Sequence, residues 1–134
     1  MNDITIAIKI FDFKFEHDYI SNLFGLSPKI FHRKGDSYEM GSVIKVHDSN
    51  YWDYRIHIKK NNIWIKEIID RFVQENMLDK ENVFENLKGR CTMELYISVW
   101  FYDNPDNFHF DSKLLSFFSK YEIDIDIDQY LHSR

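Results

Sequence analysis

The sequence contains few of the residues on which motif-based functions usually depend. Its single cysteine, Cys91, excludes an internal disulfide and is typical of a reducing compartment. The four glycines are spread along the chain and never form a phosphate-binding loop, and neither HExxH nor GxSxG occurs. The absence of these motifs argues against a metalloprotease, a nucleotide-binding protein or a serine hydrolase of a recognisable type. We expect no cofactor.

The chain also lacks a basic charge balance and long apolar runs. Its 17 lysines and arginines are outnumbered by 22 aspartates and glutamates, and the net charge of −5 argues against a nucleic-acid partner. No stretch approaches the roughly 18 apolar residues of a membrane-spanning helix. The first residues, MNDITIAIKIFDFKFEH, do not resemble a signal peptide. We therefore expect a cytoplasmic protein that binds neither nucleic acid nor membrane.

Aromatic residues, by contrast, are abundant. Twelve phenylalanines, eight tyrosines and three tryptophans make up 17% of the chain. The length of 134 residues fits one domain over residues 1–134, and a core of that size does not require so many aromatic side chains. We expect some tyrosines and tryptophans at the surface, where they serve as anchors for a protein partner.

The periodicity of apolar residues separates predicted strands from predicted helices. Alternation predicts a first strand over Ile4–Ile10, a long strand over Cys91–Tyr102 and a last strand over Ile123–Tyr130. Apolar residues spaced along one helical face predict helices over about Asp18–Phe24, Asn62–Met77 and Ser112–Tyr121, with Asp111 or Ser112 as the N-cap of the last helix.

The middle of the chain gives weaker signals. Two strands near Tyr38–Val46 and Tyr51–Ile58 flank the polar stretch HDSN and are predicted to form a hairpin, while Leu78–Lys88 has weak helical character. The element order β-α-β-β-α-β-α-β predicts an α+β fold. We expect a single, mainly antiparallel sheet of about five strands with about three helices packed on it.

The last predicted strand carries an unusual row of acids. Asp124, Asp126 and Asp128 alternate with isoleucines, so they share one face at spacings of roughly 6.6 to 6.8 Å. An EF-hand loop is excluded because Gln129 stands where the turn needs glycine. Three interpretations stay open: a solvated outer face of an edge strand that discourages aggregation, an acidic stripe that meets a basic partner, or a metal site.

Aromatic residues occupy the non-aliphatic face of the long strand, namely Tyr96, Trp100 and Tyr102. If helices cover both sides of the sheet, these residues belong to the core. If helices cover only one side, they form an exposed strip suited to binding a protein or peptide.

Two other classes of function remain possible. An enzyme or small-ligand binder with an unrecognised site would use His57, His109, Cys91 or the aspartate row, although a structural thiol is the simpler interpretation of Cys91 even beside the cation of Arg90. A regulatory module that pairs with itself through the long strand is the other class.

Two blocks of the chain resemble a known bacterial family. The first, LFGLSPKIFHRKGD at Leu23–Asp36, combines a short helix, an apolar-x-Pro element and an Arg-Lys-Gly-Asp turn, and Trp52 follows it. The second, FDSKLLSFFSKYEIDIDIDQY at Phe110–Tyr130, joins a helix to an aspartate-rich strand that ends in tyrosine. Their order and spacing resemble the family catalogued as domain of unknown function 4279.

The resemblance implies no catalytic residues, and relatives look like immunity proteins, which neutralise bacterial toxins by binding them. We therefore expect a non-enzymatic immunity protein that forms a tight complex with a basic toxin domain and is a monomer or weak dimer when free. The candidate partner-binding residues are Asp124, Asp126, Asp128, Tyr96, Trp100 and Tyr102.

Overall fold

The computed structural model describes residues 2–61, 64–102 and 107–132. Its strands are β1 (Asn2–Phe11), β2 (Ile30–His32), β3 (Ser37–Met40), β4 (Val43–Val46), β5 (Tyr51–Lys60), β6 (Thr92–Phe101) and β7 (Ile123–Leu131). Its helices are α1 (His17–Phe24), α2 (Ile65–Asn76), α3 (Glu81–Leu87) and α4 (Ser112–Lys120), with a 3-10 turn over Leu78–Lys80. In the part of the chain so described, no helix combines the length and apolar character that a membrane crossing requires.

A five-stranded sheet with the order β2-β5-β1-β6-β7 forms the centre of the fold, and β3 pairs only with β4 in a separate ribbon. The pairs β2–β5, β5–β1 and β1–β6 are antiparallel, whereas β6 and β7 run parallel and are connected through α4. A parallel pair needs such a crossover because a tight turn reverses the chain direction. The predicted α+β class with a mainly antiparallel sheet is confirmed.

One face of the sheet carries the apolar residues of every long strand. Ile4, Ile6, Ile8 and Ile10 of β1 face this side, and in the neighbouring strand Ile58 lies opposite Ile4 and Trp52 opposite Ile10. Each fully buried aliphatic side chain contributes about 1.5–3 kcal/mol relative to exposure. This repeated burial fixes the register, because a slip of one residue would turn every isoleucine to the other face.

All four helices contribute aromatic residues to the core on that same face. The Phe24 ring of α1 stacks on Trp52 with centroids 5.3 Å apart, and the Phe72 ring of α2 stacks on Tyr54 at 6.1 Å. Phe84 of α3 contacts Phe24 and also Phe117 of α4, with centroids 5.4 and 5.6 Å apart. The helices therefore form one layer, and the opposite face of the sheet has no helix on it in the described residues.

The helix ends follow local sequence signals. Asp111 Oδ1 accepts a hydrogen bond of 2.8 Å from the backbone N–H of Leu114, which confirms the predicted cap of α4. Gly25 ends α1 in the left-handed conformation with φ at 67°, which glycine adopts without strain. The predicted start of the second helix at Asn62 lies outside the described residues, and α2 begins at Ile65.

The predicted pairing of Tyr38–Val46 with Tyr51–Ile58 is wrong. Residues 38–46 themselves form a hairpin, because Gly41 with φ at 65° occupies the first position of a two-residue turn between β3 and β4. Strand β5 instead pairs with β1 along ten residues and with β2 along three. The decisive signal was the match between the apolar positions of β5 and those of β1, which lie more than 40 residues apart.

The stretch Leu78–Lys88 is more ordered than its polar composition suggested. A 3-10 turn leads into α3, which buries Val83, Phe84 and Leu87 against the core. These three residues have the i, i+1, i+4 spacing of one short helical face, and tertiary packing stabilises a helix of only seven residues.

Candidate protein-binding face

The sheet face opposite the helices, here called the open face, is built from the alternate residues of each strand. Its members are Ile30 and His32 of β2, Tyr51, Asp53, Arg55, His57 and Lys59 of β5, Asp3, Thr5, Ala7, Lys9 and Phe11 of β1, Thr92, Glu94, Tyr96, Ser98 and Trp100 of β6, and Asp124, Asp126, Asp128 and Tyr130 of β7.

The predicted aspartate row lies on the edge of this face. Strand β7 is the last strand of the sheet, and the side chains of Asp124 and Asp126 are exposed, while Asp128 is half-buried. Among the described residues, no cation forms an ion pair with any of the three. The edge position is the one that the first of the three sequence interpretations required, and within the described ranges the row has no ion-pair partner.

Glu94 extends the acidic row into the sheet. It lies beside Asp124 in the parallel register and opposite Lys9, whose Nζ sits 3.8 Å from the centroid of the Tyr96 ring. Partial burial raises the pKa of Glu94, Lys9 lowers it, and the nearby Asp126 raises it further. Lys9 is thus held by a cation–π contact and offsets one charge, and the β6–β7 half of the open face stays strongly acidic.

Two exposed aromatic rings lie at one end of this acidic row. Trp100 and Tyr130 lie side by side in the parallel register, their rings stack with centroids 4.4 Å apart, and each residue is 41% exposed. The hydroxyl of Tyr96 donates a 2.9 Å hydrogen bond to Asp128 Oδ2. Because the helices of the described residues all lie on the other side of the sheet, Tyr96 and Trp100 form a surface strip beside the aspartates, as the second of the two sequence interpretations required.

Tyr102 lies just beyond the end of the same strand. It follows the last residue of β6, its backbone N–H donates to Asn2 Oδ1 at 3.2 Å, and its ring lies 5.2 Å from that of His132. Tyr130 joins the aromatic residues of this face, although the sequence analysis did not name it as a candidate. Its alternation with the three aspartates was visible in the sequence, but its contact with Trp100 depends on the parallel register between β6 and β7.

A buried ion pair on the open face was not predicted. Asp53 is fully buried and accepts hydrogen bonds from Arg55 Nε at 3.1 Å, from an Arg55 guanidinium N–H and from the Tyr51 hydroxyl at 2.7 Å. Hydrogen bonding to Asp53 raises the pKa of Arg55, and burial raises the pKa of Tyr51. Both groups are therefore protonated at neutral pH and can donate these hydrogen bonds.

The residues of the alternative enzyme hypothesis do not converge. Burial raises the pKa of the Cys91 thiol to about 11, so the nearby Arg90 does not activate it. Cys91 lines an open depression of about 650 Å³ with Asp12 and Lys14, whereas His109 lines another of about 270 Å³ with Lys66 and Asp70. His57 lies on the open face and pairs with Asp3.

The topology leaves no place for two copies to pair edge to edge through the long strand. Strand β6 is hydrogen-bonded to β1 on one side and to β7 on the other, so it has no free edge in the folded protein.

No group of three or more metal-binding side chains occurs in residues 2–61, 64–102 and 107–132. The aspartate row therefore does not form part of a preformed metal cluster within these ranges.

Four aromatic rings connect the β3–β4 hairpin to the open face. The rings of His32 and His47 stack 3.5 Å apart at an interplanar angle of 10°, with Tyr51 stacked on His32 and Tyr38 stacked on His47. Burial lowers the pKa of His32 and the charge of His47 lowers it further, while Asp36 and Asp48 act in the opposite direction. Lys9 and Glu94 line the same depression as the two histidines.

This stack should loosen in acid. Because the folded protein lowers the pKa of His32, the unfolded state binds more protons below about pH 6.5, and the stabilisation from the stack is complete above that pH and declines below it. We expect amide hydrogen exchange of residues 37–46, corrected for intrinsic rates, to become faster as the pH falls from 7.5 to 5.5. Replacing His47 with phenylalanine keeps a ring and removes the like charge.

The His47→Phe variant should therefore raise the pKa of His32, as measured by NMR of the ring carbons, and reduce the acid effect on exchange. Replacing the exposed His109 with glutamine serves as the control and should change neither quantity. If the exchange rates in the hairpin, corrected for intrinsic rates, do not depend on pH, the His32–His47 stack does not control the stability of the hairpin.

A comparison with protein families gives one finding. A family model described as Domain of unknown function (DUF4279) matches residues 2–132, which is nearly the whole chain. No curated protein matches the sequence, and no solved structure matches the fold.

Proposed function

The chain belongs to the family described as Domain of unknown function (DUF4279), and we propose that it is a non-enzymatic immunity protein that neutralises a basic toxin by binding it through the open face. The family description names no activity. The toxin-neutralising role comes from the resemblance of family members to immunity proteins, and the open face supports protein binding as the means.

The observation that carries the proposal is the combination of charge and aromatic surface at one sheet edge. Asp124, Asp126 and Asp128 stand in a row, and the stacked Trp100–Tyr130 pair continues the same strands. Interfaces place exposed aromatic anchors at their centre and charges around them. A helix-free sheet face with this arrangement offers both parts within two neighbouring strands.

The proposed mechanism has two stages. The acidic row attracts a basic toxin surface over distances near the Debye length, about 10 Å at 0.1 M salt, and so accelerates encounter. The Trp100–Tyr130 pair then enters a desolvated contact that slows dissociation. No bond is made or broken, and inhibition follows from covering the toxin surface. The complex would form in the cytoplasm of the toxin-producing cell.

The proposal is tested by affinity capture from the native host. The wild-type protein and a variant with Asp124→Asn, Asp126→Asn, Asp128→Asn and Trp100→Ala should be used in parallel, and captured proteins identified by mass spectrometry. We expect a basic protein that is retained by the wild type alone, encoded beside the gene for this chain, and whose toxicity the wild type suppresses. Equal retention by both proteins, or a captured partner that is not toxic, would contradict the proposal.

Trp100→Ala alone should accelerate dissociation of the complex by about thirtyfold, because a central aromatic anchor typically contributes about 2 kcal/mol or more. The association rate should change little, since no charge is altered. Surface plasmon resonance separates the two rates. Leu115→Ala is a matched control, because Leu115 is 47% exposed but lies on α4 at the helical side. An equal effect of both variants would exclude Trp100 as an anchor.

A further inference from the structure

Strand β7 lies at one end of the five-stranded sheet, and its outer side is a free edge. It pairs with β6 on one side, and no described strand pairs with its other side along its nine residues. At the opposite end of the sheet, β2 already covers three residues of β5, so β7 offers the longest unpaired edge among the described strands. An edge of this kind presents a row of backbone N–H and C=O groups that can pair with another chain.

One hydrogen bond just after β7 shows which of its backbone groups point outward. The N–H of His132 donates to the Phe101 carbonyl of β6 at 2.9 Å. The register between β6 and β7 is continuous along the whole of β7, and in a parallel pair alternate residues direct their backbone groups to opposite sides of the strand. The even-numbered residues therefore bond to β6, whereas the N–H and C=O groups of Ile125, Ile127 and Gln129 point away from the sheet.

The side chains of β7 determine the chemistry of the strand that fits this edge. The aspartate row lies on the open face, while Ile125 and Ile127 are half-buried against the core on the helical side. A second copy of β7 does not fit, because antiparallel pairing with the isoleucines on one side would set aspartates directly opposite aspartates. A strand that alternates basic and apolar residues places its cations on the aspartates and its apolar residues beside the isoleucines.

We propose that β7 accepts an extended basic segment of the partner protein, which extends the five-stranded sheet by one strand. This inference rests on the proposed basic partner and states how its chain is held. Backbone hydrogen bonds to Ile125, Ile127 and Gln129 supply affinity, and the aspartate row selects lysine or arginine at alternate positions of the added strand. The charges that keep two copies of β7 apart are thus the same charges that select the partner.

Amide hydrogen exchange of the wild-type protein tests the proposal with the synthetic peptide KVKVKVK. In the free protein the amides of Ile125, Ile127 and Gln129 should exchange quickly, whereas those of Asp126 and Asp128, which bond to β6, should be protected. The alternating peptide should bind and slow exchange of the three outward amides by about tenfold or more. The peptide KKKKVVV has the same composition without the alternation and should leave them unchanged. Absence of binding by the alternating peptide, or equal effects of both peptides, would overturn the proposal.

A proline at position 129 tests the outward backbone group directly. Gln129→Pro removes an outward N–H without removing a bond to β6, and proline is tolerated at such positions of edge strands. It should weaken binding of the alternating peptide by about tenfold or more, whereas Gln129→Ala keeps the N–H and should bind like the wild type. Equal affinity of the proline and alanine variants would count against strand addition.

Methylated peptides test the same hydrogen bonds without altering the protein. The alternating peptide is made with a methyl group on the backbone nitrogen of every valine, or on that of every lysine. In an added strand one of these two sets faces β7, so one methylated peptide should lose binding and the other should retain it. Loss with both peptides, or with neither, would contradict the proposal.

Failure of strand addition can be distinguished from failure of the proposed function. A captured toxin whose binding needs the aspartate row but is unaffected by Gln129→Pro would overturn strand addition and leave the toxin-neutralising role intact. An alternating peptide that behaves as expected, in a host where no toxin is captured, would support strand addition and overturn that role.

Discussion

Replacing Asp124, Asp126 and Asp128 together with asparagine should slow association with the basic partner that we propose by about tenfold or more at low salt. Three carboxylates along one strand, without an ion-pair partner among the described residues, repel one another in the free protein, and an opposing basic surface makes them favourable only in the complex. The free energy of unfolding should therefore stay the same or rise. Asparagine at position 128 can still accept the hydrogen bond that the Tyr96 hydroxyl now donates to Asp128.

Stopped-flow measurement of association at several salt concentrations is the appropriate assay. The wild-type rate should fall as salt rises, and the difference between wild type and variant should shrink, since the charges act through a screened field. A control with Glu67→Gln, Glu75→Gln and Glu85→Gln changes the net charge equally but on exposed helical residues. An unchanged association rate in the aspartate variant, or an equal loss in the control, would refute the proposed steering role.

Replacing Arg55 with leucine should lower the free energy of unfolding by about 3 kcal/mol, the largest stability effect we expect from a charged residue here. Asp53 is fully buried, and Arg55 supplies two of its hydrogen bonds, so the variant leaves a buried carboxylate with the Tyr51 hydroxyl as its remaining partner. The side chain of Arg55 is 26% exposed, so water can reach the site and the cost stays at the low end for buried pairs.

Urea denaturation of the wild type, Arg55→Leu and the double variant Asp53→Asn with Arg55→Leu separates the cost of an unpaired buried charge from the cost of lost packing. Adding Asp53→Asn to Arg55→Leu removes the unpaired charge and should recover a large part of the lost stability. If the double variant is as unstable as Arg55→Leu alone, the loss comes from packing of the arginine stem. A loss below about 1 kcal/mol in the single variant would show that the pair is solvated in solution.

Local patterns were sufficient for most of the secondary structure. Alternating isoleucines identified β1 and β7, and apolar residues at helical spacing identified α1, α2 and α4, because side-chain direction repeats every two residues in a strand and every 3.6 in a helix. The partner of β5 was not predictable in this way. Its pairing with β1 depends on side chains more than 40 residues away, and the turn at Gly41 is a competing local signal.

The sequence by itself determined that Asp124, Asp126 and Asp128 share one face, that Trp100 lies opposite the aliphatic face of its strand, and that the chain carries excess acid. Those properties follow from covalent order and the geometry of a single strand. Only the tertiary structure decided that no helix of the described residues covers that face, that Trp100 stacks on Tyr130, and that Asp53 pairs with Arg55. These results depend on which strands become neighbours and on which side the helices pack, because burial is a property of the assembled chain.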